Sequence, residues 1–412
     1  MFRFVHTADL HLDSPLRSLA LRDETLSDAV GNATRAALTR IVDLCLEERA
    51  DALLIAGDLY DGGQTSMKTA RFLVRELARL DAAGILTFVI RGNHDAEATI
   101  TRELELPPSV TVFDGRARIH RLGPAAIQGI SFRDRHVPES LLPRYRPPEP
   151  DAVNIALMHT SLGGAQGHDV YAPCALADLR AAGMDYWALG HVHARFAEPG
   201  PPAVVMPGIP QGRDIGEDGP KSATLVTVRD DRSLLIEERP TATLQFERVP
   251  VPLDGIADWA EALSAMRTAL REARRQALAE AVVLRPVLTG ASPLAWRLRR
   301  DADLLTAEAE RIAEEIGSAW IDKLELRLSA EAEAGEGALA DLARLVTPAG
   351  ALPPHLLAEG EALADTLAAA LPPELREGFG ADESARADRV RALMQEGAAE
   401  VLAHLRARPE PS

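Results

Sequence analysis

Several polar side chains in the first hundred residues come directly after short apolar runs, and their types suit metal binding or proton transfer. They belong to Asp9, His11, Asp58, Asn93, His94 and Asp95. Carboxylate and amide oxygens bind hard divalent ions, and imidazole nitrogens bind borderline ones. An imidazole also changes its charge near neutral pH, so His94 is a candidate acid or base. Taken singly, each motif is equally well explained as a polar turn after a buried strand, so a site requires further donors elsewhere in the chain.

Further donors follow two later apolar runs. His159 comes at the end of the run at 153–158, and His191 and His193 come after the run at 185–189. Carboxylates, an amide and imidazoles without thiolates suit two divalent ions, with Mn²⁺ favoured over a structural zinc. Two ions about 3.5 to 4 Å apart can bind both the attacking and the leaving oxygen at phosphorus. The donor types therefore favour hydrolysis of a phosphoester.

Regular elements predicted from the apolar pattern explain how these side chains meet. Strands at 2–7, 52–56 and 85–90 alternate with amphipathic helices at about 28–49 and 66–83. That alternation is typical of a parallel sheet, whose ligands collect beyond the carboxyl ends of the strands. Asp9, His11, Asp58 and the Asn93 to Asp95 loop are all expected at that edge.

Shorter β-like runs follow residue 97. Runs at 110–113, 117–122 and 125–132 predict strands of a second sheet, and runs at 203–206, 223–229 and 233–238 predict closing strands. We therefore expect an α/β (α+β) fold with a sandwich of two sheets flanked by helices over residues 1–240. Alternating strand-like and helical runs at 243–329 predict a small separate α+β domain. The Ala-, Leu- and Glu-rich region at 330–412 predicts helices interrupted by prolines.

Composition limits the classes of partner and compartment. A formal net charge of −17 over 412 residues argues against coating nucleic acid by bulk electrostatics, although it permits DNA as a substrate. Cys45 and Cys174 are the two cysteines and form no CxxC motif, which is typical of a reducing compartment. No signal sequence precedes the first strand, and no apolar run approaches the roughly 18 residues of a membrane helix. We expect a cytoplasmic protein that does not engage a membrane.

The ordered series DLH, GD, GNHD, H and GHVH resembles the signature of the calcineurin-like metallophosphoesterases. The resemblance implies two metal ions that share Asp58 as a bridge. One ion would be held by Asp9, His11, Asp58 and His193, and the other by Asp58, Asn93, His159 and His191. It also implies that His94 contacts the scissile phosphate and assists the leaving group, with Asp95 orienting its imidazole.

Within that family, HTADLHLDSPL, AGDLYD and RGNHD resemble the nuclease subunit of the bacterial SbcCD complex. HTSLGG, GHDVYAPC, DYWALGHVH and PGIPQGRDIGEDGPK resemble the YhaO-like DNA repair exonucleases more closely. The resemblance implies a Mn²⁺-dependent DNA exo/endonuclease that works with an SMC-like ATPase subunit, and a homodimer. It also implies that residues 243–329 form a capping, DNA-binding domain and that residues 330–412 engage the ATPase subunit. No GxxxxGK motif occurs, so ATP chemistry would come from the partner. Arg213 and Lys221 could contact DNA phosphates, but solvated loop charges explain them equally well.

Two other classes of function stay open on sequence alone. A metallophosphatase or phosphodiesterase acting on nucleotides or other phosphoesters would use the same donors, because a metal site senses only the phosphate. A non-catalytic scaffold is the third reading, and the intact donor set with His94 counts against it.

Overall fold

The computed structural model describes residues 1–14, 24–61, 66–97, 105–163, 171–329, 354–370 and 383–406. The chain forms two compact units that interleave in sequence. The first comprises Met1–Arg248, Arg274–Leu284 and Ser318–Asp322, and the second comprises Val249–Ala273, Arg285–Gly317 and Lys323–Ser412. The division predicted at 240, 243 and 329 stays a prediction. Parts of its C-terminal region, at 330–353, 371–382 and 407–412, lie outside the described residues.

The first 240 residues carry twelve strands and four α-helices among the described residues. The strands are β1 (Phe2–Thr7), β2 (Ala52–Ala56), β3 (Leu86–Ile90), β4 (Val110–Val112), β5 (Arg118–Leu122), β6 (Ala125–Gly129), β7 (Val153–His159), β8 (Tyr186–Gly190), β9 (Phe196–Glu198), β10 (Ala203–Met206), β11 (Ser222–Val228) and β12 (Leu234–Pro240). The helices are α1 (Glu24–Glu47), α2 (Met67–Ala82), α3 (Asn93–Glu97) and α4 (Leu176–Ala181), with 3₁₀ turns at Leu142–Arg144 and Ile215–Glu217.

Two six-stranded sheets form the two-sheet fold that the sequence predicts. The first has the order β12-β11-β1-β2-β3-β4, and the second has the order β5-β6-β7-β8-β10-β9. β1 to β4 run parallel to one another, while β11 pairs antiparallel with β1 and β12 pairs antiparallel with β11. The first sheet is therefore mixed rather than purely parallel.

One strand assignment from sequence was wrong. The run at 110–113 predicted a strand of the second sheet, but β4 pairs with β3 of the first sheet, with Thr87 opposite Val110. A three-residue strand carries too little pattern to reveal which edge it joins. β5 and β6 do lie in the second sheet, as predicted.

The alternation of side chains along β1 and β2 separates two apolar layers. Phe4 and Leu54 belong to the layer that includes Ile127 and Leu157 of the second sheet. Their sequence neighbours point the other way and pack with residues of α1 and α2, as Leu53 does with Leu73. With both faces covered, the central strands read as continuous apolar runs, and only their ends are free to carry polar side chains.

The remaining described elements are β13 (Leu244–Pro252), α5 (Trp259–Gln276), β14 (Ala281–Ala291), α6 (Ala295–Arg300), α7 (Ala302–Ile316), β15 (Ala319–Ile321), β16 (Glu325–Ser329), α8 (Pro354–Ala370) and α9 (Glu383–Arg406). A third, smaller sheet has the order β13-β14-β15, and β16 also pairs with β14. In the second unit, α9 packs on both α6 and α8. No helix within the described ranges is long and apolar enough to cross a membrane.

Candidate metal centre

The structure brings all seven predicted metal ligands together beyond the strand ends. Six of these residues form two groups, and within each group the possible metal-binding atoms all lie within 4.8 Å of one another. One group is Asp9, His11 and His193, and the other is Asp58, His159 and His191. The seventh residue, Asn93, joins the second group because its Oδ1 lies 3.0 Å from Nε2 of His159. The two groups parallel the two predicted ligand sets, whose roles stay predictions.

Asp58 lies between the two groups. Its Oδ2 is 3.9 Å from Nε2 of His11 and 3.4 Å from Nε2 of His159. The side chain is only 2 % exposed, so solvent does not satisfy it. A carboxylate that reaches an imidazole on each side has the position that a bridging ligand requires.

The loops that carry these side chains have strained backbones. Asp9, His11, Asp58 and His191 have positive φ angles of 51°, 39°, 53° and 104°. Residues other than glycine seldom adopt this region, at a cost of about 1–3 kcal/mol each, and do so mostly where neighbouring structure imposes it. Here the Asp9 N–H donates to the Gly57 carbonyl at 2.9 Å, and the His191 N–H donates to the Asp9 carboxylate at 3.0 Å. The fold thus holds the donors in place through crossed loop contacts.

His159 shows that the donor set fits a cation. Its Nδ1 lies 2.9 Å from the Ala56 carbonyl oxygen, which can only accept, so Nδ1 carries the hydrogen. Nε2 faces the oxygens of Asn93 and Asp58. Burial lowers the pKa of His159, but the charge of Asp58 and its hydrogen bond raise it to about 9. These surroundings favour a positive charge at Nε2, which a proton can supply and which a bound divalent ion would supply in its place.

In the group of Asp9, His11 and His193, a side-chain carboxylate rather than a backbone carbonyl orients the imidazole of His193. Nδ1 of His193 donates to the Glu217 carboxylate at 2.7 Å, and its Nε2 lies 3.1 Å from Nε2 of His11. Burial would raise the pKa of Glu217, but hydrogen bonds from His193 and Arg213 hold it well below its usual range. Sequence reasoning did not identify Glu217, although it follows the last histidine motif in the segment RDIGED. A carboxylate behind an imidazole orients the ring and strengthens it as a ligand.

Asp61 is a second residue that sequence reasoning missed. Its Oδ1 lies 3.5 Å from Nδ1 of His11 and 3.7 Å from Nδ1 of His94, and these three residues form a third group of close donors. Ser14 also donates to Asp61, through Oγ at 2.7 Å. The nearby imidazole of His11 is the main reason that the pKa of Asp61 lies well below its usual range. The signal was present in GDLYD, where a second acid follows Asp58 by three residues.

Asp95 has a different environment from the one predicted. Its Oδ1 accepts N–H groups of Leu59 at 2.9 Å and Tyr60 at 3.3 Å, and its Oδ2 accepts the Gly92 N–H at 3.1 Å. Backbone N–H groups thus bind both oxygens of the Asp95 carboxylate, and its orienting of His94 stays a prediction. The carboxylate beside the His94 ring is Asp61. The segment is also a short helix, α3, rather than the loop predicted from sequence.

The two cations proposed to contact DNA occupy different surroundings. Arg213 Nη2 donates to Glu217 at 2.7 Å, and its Nη1 lies 3.8 Å from Asp61, so this guanidinium borders the donor groups. Lys221 donates through Nζ to the Asp218 carbonyl at 2.6 Å. Contact of either residue with DNA stays a prediction.

Two glycines allow the loops to approach one another. Gly57 has φ of 98°, and a Cβ at this position would overlap Nδ1 of His159. A Cβ at Gly92 would overlap Oδ1 of Asp58. These positions require glycine because side-chain donors of the site lie against the backbone.

Two family models match separate parts of the chain. Calcineurin-like phosphoesterase matches residues 2–195, and the middle domain of metallophosphoesterase YhaO matches residues 246–329. An uncharacterized metallophosphoesterase YhaO of Bacillus subtilis is 33% identical over 347 residues, which is 80% of this chain and 82% of that protein.

More distant relatives carry the name DNA double-strand break repair protein Mre11. The protein from Sulfurisphaera tokodaii is 28% identical over 205 residues, covering 47% of this chain and 49% of the relative. The protein from Methanopyrus kandleri is 25% identical over 328 residues, covering 71% of this chain and 66% of the relative. With the matched family model, the full donor series and the extended similarity to YhaO, the chain belongs to the calcineurin-like metallophosphoesterase family.

Proposed function

We propose that this protein is a Mn²⁺-dependent DNA exo/endonuclease in DNA repair. The observation that carries the proposal is the position of Asp58 between two groups of imidazoles, with His94 beside them. The name shared by the Mre11 relatives supports DNA as the substrate. Two divalent ions at these groups would supply an activated water and neutralise charge on the phosphate.

His94 and Asp61 then position the substrate and transfer a proton. The His94 ring centroid lies 5.0 Å from that of His11, so a phosphate bound at the donor groups also meets His94. His94 is about one-third exposed, which leaves its ring accessible to substrate. As an acid, it donates to the oxygen that leaves phosphorus. Asp61, 3.7 Å from Nδ1, is the carboxylate placed to hold the ring during that transfer.

We further propose that the protein acts as a homodimer with an SMC-like ATPase subunit. The chain has no GxxxxGK motif of its own. Its net charge of −17 also leaves much of the attraction for DNA to a partner or to local basic surfaces. Capture of an ATPase by the full chain, and loss of capture when residues 330–412 are removed, would support this assembly.

The direct test is cleavage of linear DNA by purified protein supplied with Mn²⁺. We expect His94→Gln to reduce cleavage by about 10²- to 10⁴-fold, because the proton donor is lost, while metal content stays that of the wild type. His136→Gln, at an exposed histidine outside the three donor groups, is the matched control and should retain activity.

One result would replace DNA with another substrate. If the Mn²⁺-loaded protein hydrolysed nucleotides or other small phosphoesters but never DNA, even with an ATPase partner, the nuclease proposal would fail. The metallophosphatase alternative would then stand, since the donor groups contact only the phosphate.

A further inference from the structure

A basic cleft lies where α1 and α2 meet, outside the three donor groups. Its volume is about 420 Å³, and its lining consists of Arg35, Met67, Lys68, Arg71, Phe72 and Arg75. Arg35 belongs to α1 and the other five belong to α2. No role in the metal centre explains this concentration of cations.

The three cations of α2 share one face of the helix. Lys68, Arg71 and Arg75 are separated by three and four residues, which places successive side chains on neighbouring turns. All three are exposed. From Lys68 to Arg75 the helix rises about 10 Å, so the cations form a row rather than a point.

An aromatic ring organises two of the guanidinium groups. The Cζ atoms of Arg35 and Arg75 lie 5.4 Å and 5.1 Å from the ring centroid of Phe72. Both distances are within the range of cation–π attraction. Phe72 therefore restricts the conformations of the Arg35 and Arg75 side chains, which reduces the entropy that they would lose when a ligand binds.

The local charge is opposite to that of the whole chain. Arg35 is paired with Asp13, and Arg75 lies 3.6 Å from Glu76, which also pairs with Arg79. Lys68 and Arg71 have no ion pair with any residue in the described ranges. In a protein with a net charge of −17, such an accessible excess of positive charge is a specific attractor of anions.

The cleft is also joined to the loop that carries a predicted ligand. Asp13, two residues after His11, accepts a hydrogen bond from Arg35 Nε at 2.6 Å and another from Thr69 at the start of α2. The next residue, Ser14, donates to Asp61 of the donor groups. Hydrogen bonds through Asp13 and Ser14 thus connect the basic cleft to Asp61 of the donor groups.

We propose that this basic cleft binds the phosphodiester backbone of DNA, an inference that rests on the proposed nuclease function. A row of cations about 10 Å long suits successive phosphates better than one isolated phosphate. A symmetric contact with a second copy through this face would oppose like charges, which disfavours that occupant. The cleft supplies binding, and the donor groups supply chemistry.

The test compares two double charge reversals in the full-length protein. Lys68→Glu with Arg71→Glu should weaken binding of a fluorescent DNA duplex about tenfold or more, and should reduce the slope of log Kd against log salt by about two. Arg118→Glu with Arg232→Glu, at exposed positions away from the cleft, is the control and should leave both unchanged. Lys68→Gln with Arg71→Gln should give a smaller loss in the same direction.

Two further readouts separate this proposal from the proposed function. Hydrolysis of bis-p-nitrophenyl phosphate and the metal content should match the wild type in every cleft variant. If the wild type cuts DNA and the reversal changes neither affinity nor salt slope, the cleft proposal alone is overturned. If the wild type hydrolyses the small ester but never binds DNA, both proposals fall. If sedimentation shows that the reversal alters only the oligomeric state, the face is a contact between copies and the cleft proposal is wrong.

Discussion

His159 and His193 lie in the two opposite donor groups and are oriented in different ways. His159 donates through Nδ1 to the backbone carbonyl of Ala56, inside the first sheet, and is fully buried. His193 donates through Nδ1 to the side chain of Glu217, which is held by Arg213, and is partly exposed. One imidazole is therefore positioned by the fold itself, and the other by an ion pair.

The orientation of His159 therefore depends on the backbone of the fold, whereas the orientation of His193 depends on side chains that a substitution can change. A backbone carbonyl keeps its polarity whatever residue stands at position 56, so the tautomer of His159 depends on the sheet. A carboxylate can be replaced, and its charge and its partner Arg213 both affect how firmly His193 is held. We expect the group around His159 to be the robust half and the group around His193 the adjustable half.

The largest effect should come from the residue common to both halves. Asp58→Asn removes the charge that faces His11 and His159, so we expect loss of metal from both groups and at least about a hundredfold loss of activity. Metal content measured by mass spectrometry checks this. Asp151→Asn is the matched control, because Asp151 is exposed and has a similar φ of 60°. Full two-metal occupancy in Asp58→Asn would disprove the bridging role.

A methyl group can disturb the half that the fold determines. Gly57→Ala places a Cβ on Nδ1 of His159, so the ring must move away from the Ala56 carbonyl. We expect a loss of metal affinity at this group of more than about tenfold, measured by calorimetry. Gly84→Ala is the control, since Gly84 also has positive φ, of 75°, but its Cβ would meet open space. Equal effects of the two substitutions would show that backbone strain, not the displaced imidazole, is responsible.

The adjustable half should respond more gently to an isosteric change. Glu217→Gln keeps a side-chain acceptor near His193 but removes its charge, so we expect metal affinity at one site to fall about tenfold while the other site is unchanged. Glu217→Ala should cost more, because no acceptor remains. Glu198→Gln, in an exposed ion pair with Arg180, provides the control. An equal loss at both sites would contradict the separation of the two halves.

The smallest effect concerns an imidazole that the fold holds without any role as a ligand. His6 Nδ1 lies 3.0 Å from the Tyr186 hydroxyl, and its Nε2 lies 3.1 Å from the Leu189 carbonyl oxygen. Burial lowers the pKa of His6 from 6.5 to about 3. Below pH 6.5 the unfolded chain takes up a proton that the folded chain does not, so stability falls as pH falls.

The slope from His6 is about 1.4 kcal/mol per pH unit between pH 6.5 and about 3. We expect His6→Gln to reduce the acid sensitivity of the metal-free protein by that amount, measured from urea unfolding at pH 7 and pH 5. Exposed His136→Gln should not change it. An unaltered slope in His6→Gln would mean that His6 is not held in its neutral form.

Strand ends could be predicted from sequence because apolar runs stop where polar donors begin. Asp9, Asp58 and His159 were located in this way, and the structure places them where parallel strands converge. The partners of the donors could not be predicted so easily. Glu217 reaches His193 from a 3₁₀ turn, and that approach depends on tertiary packing rather than on spacing along the chain.

The same limit explains why the wrong sheet was predicted for β4 and why the surroundings of Asp95 could not be predicted. Asp95 lies next to His94 in sequence, but in a helical turn adjacent side chains point about 100° apart, so the carboxylate reaches the backbone of another loop. β4 has three residues, and its pairing with β3 rests on register in space rather than on its own pattern. Local pattern identified the elements and the donors, whereas side-chain direction and sheet order required the fold.

The carboxylate of Asp95 has one more consequence. Its hydrogen bonds from Leu59, Tyr60 and Gly92 connect the loop after β2 to the loop after β3. Asp58 lies in the first of these loops and Asn93 begins α3 directly after the second, so the two residues do not move independently. Any opening that moves one must break the shared anchor and move the other, so fluctuations of this region are cooperative. The side-chain oxygens of Asp58 and Asn93 are therefore expected to enter and leave the metal-binding position together.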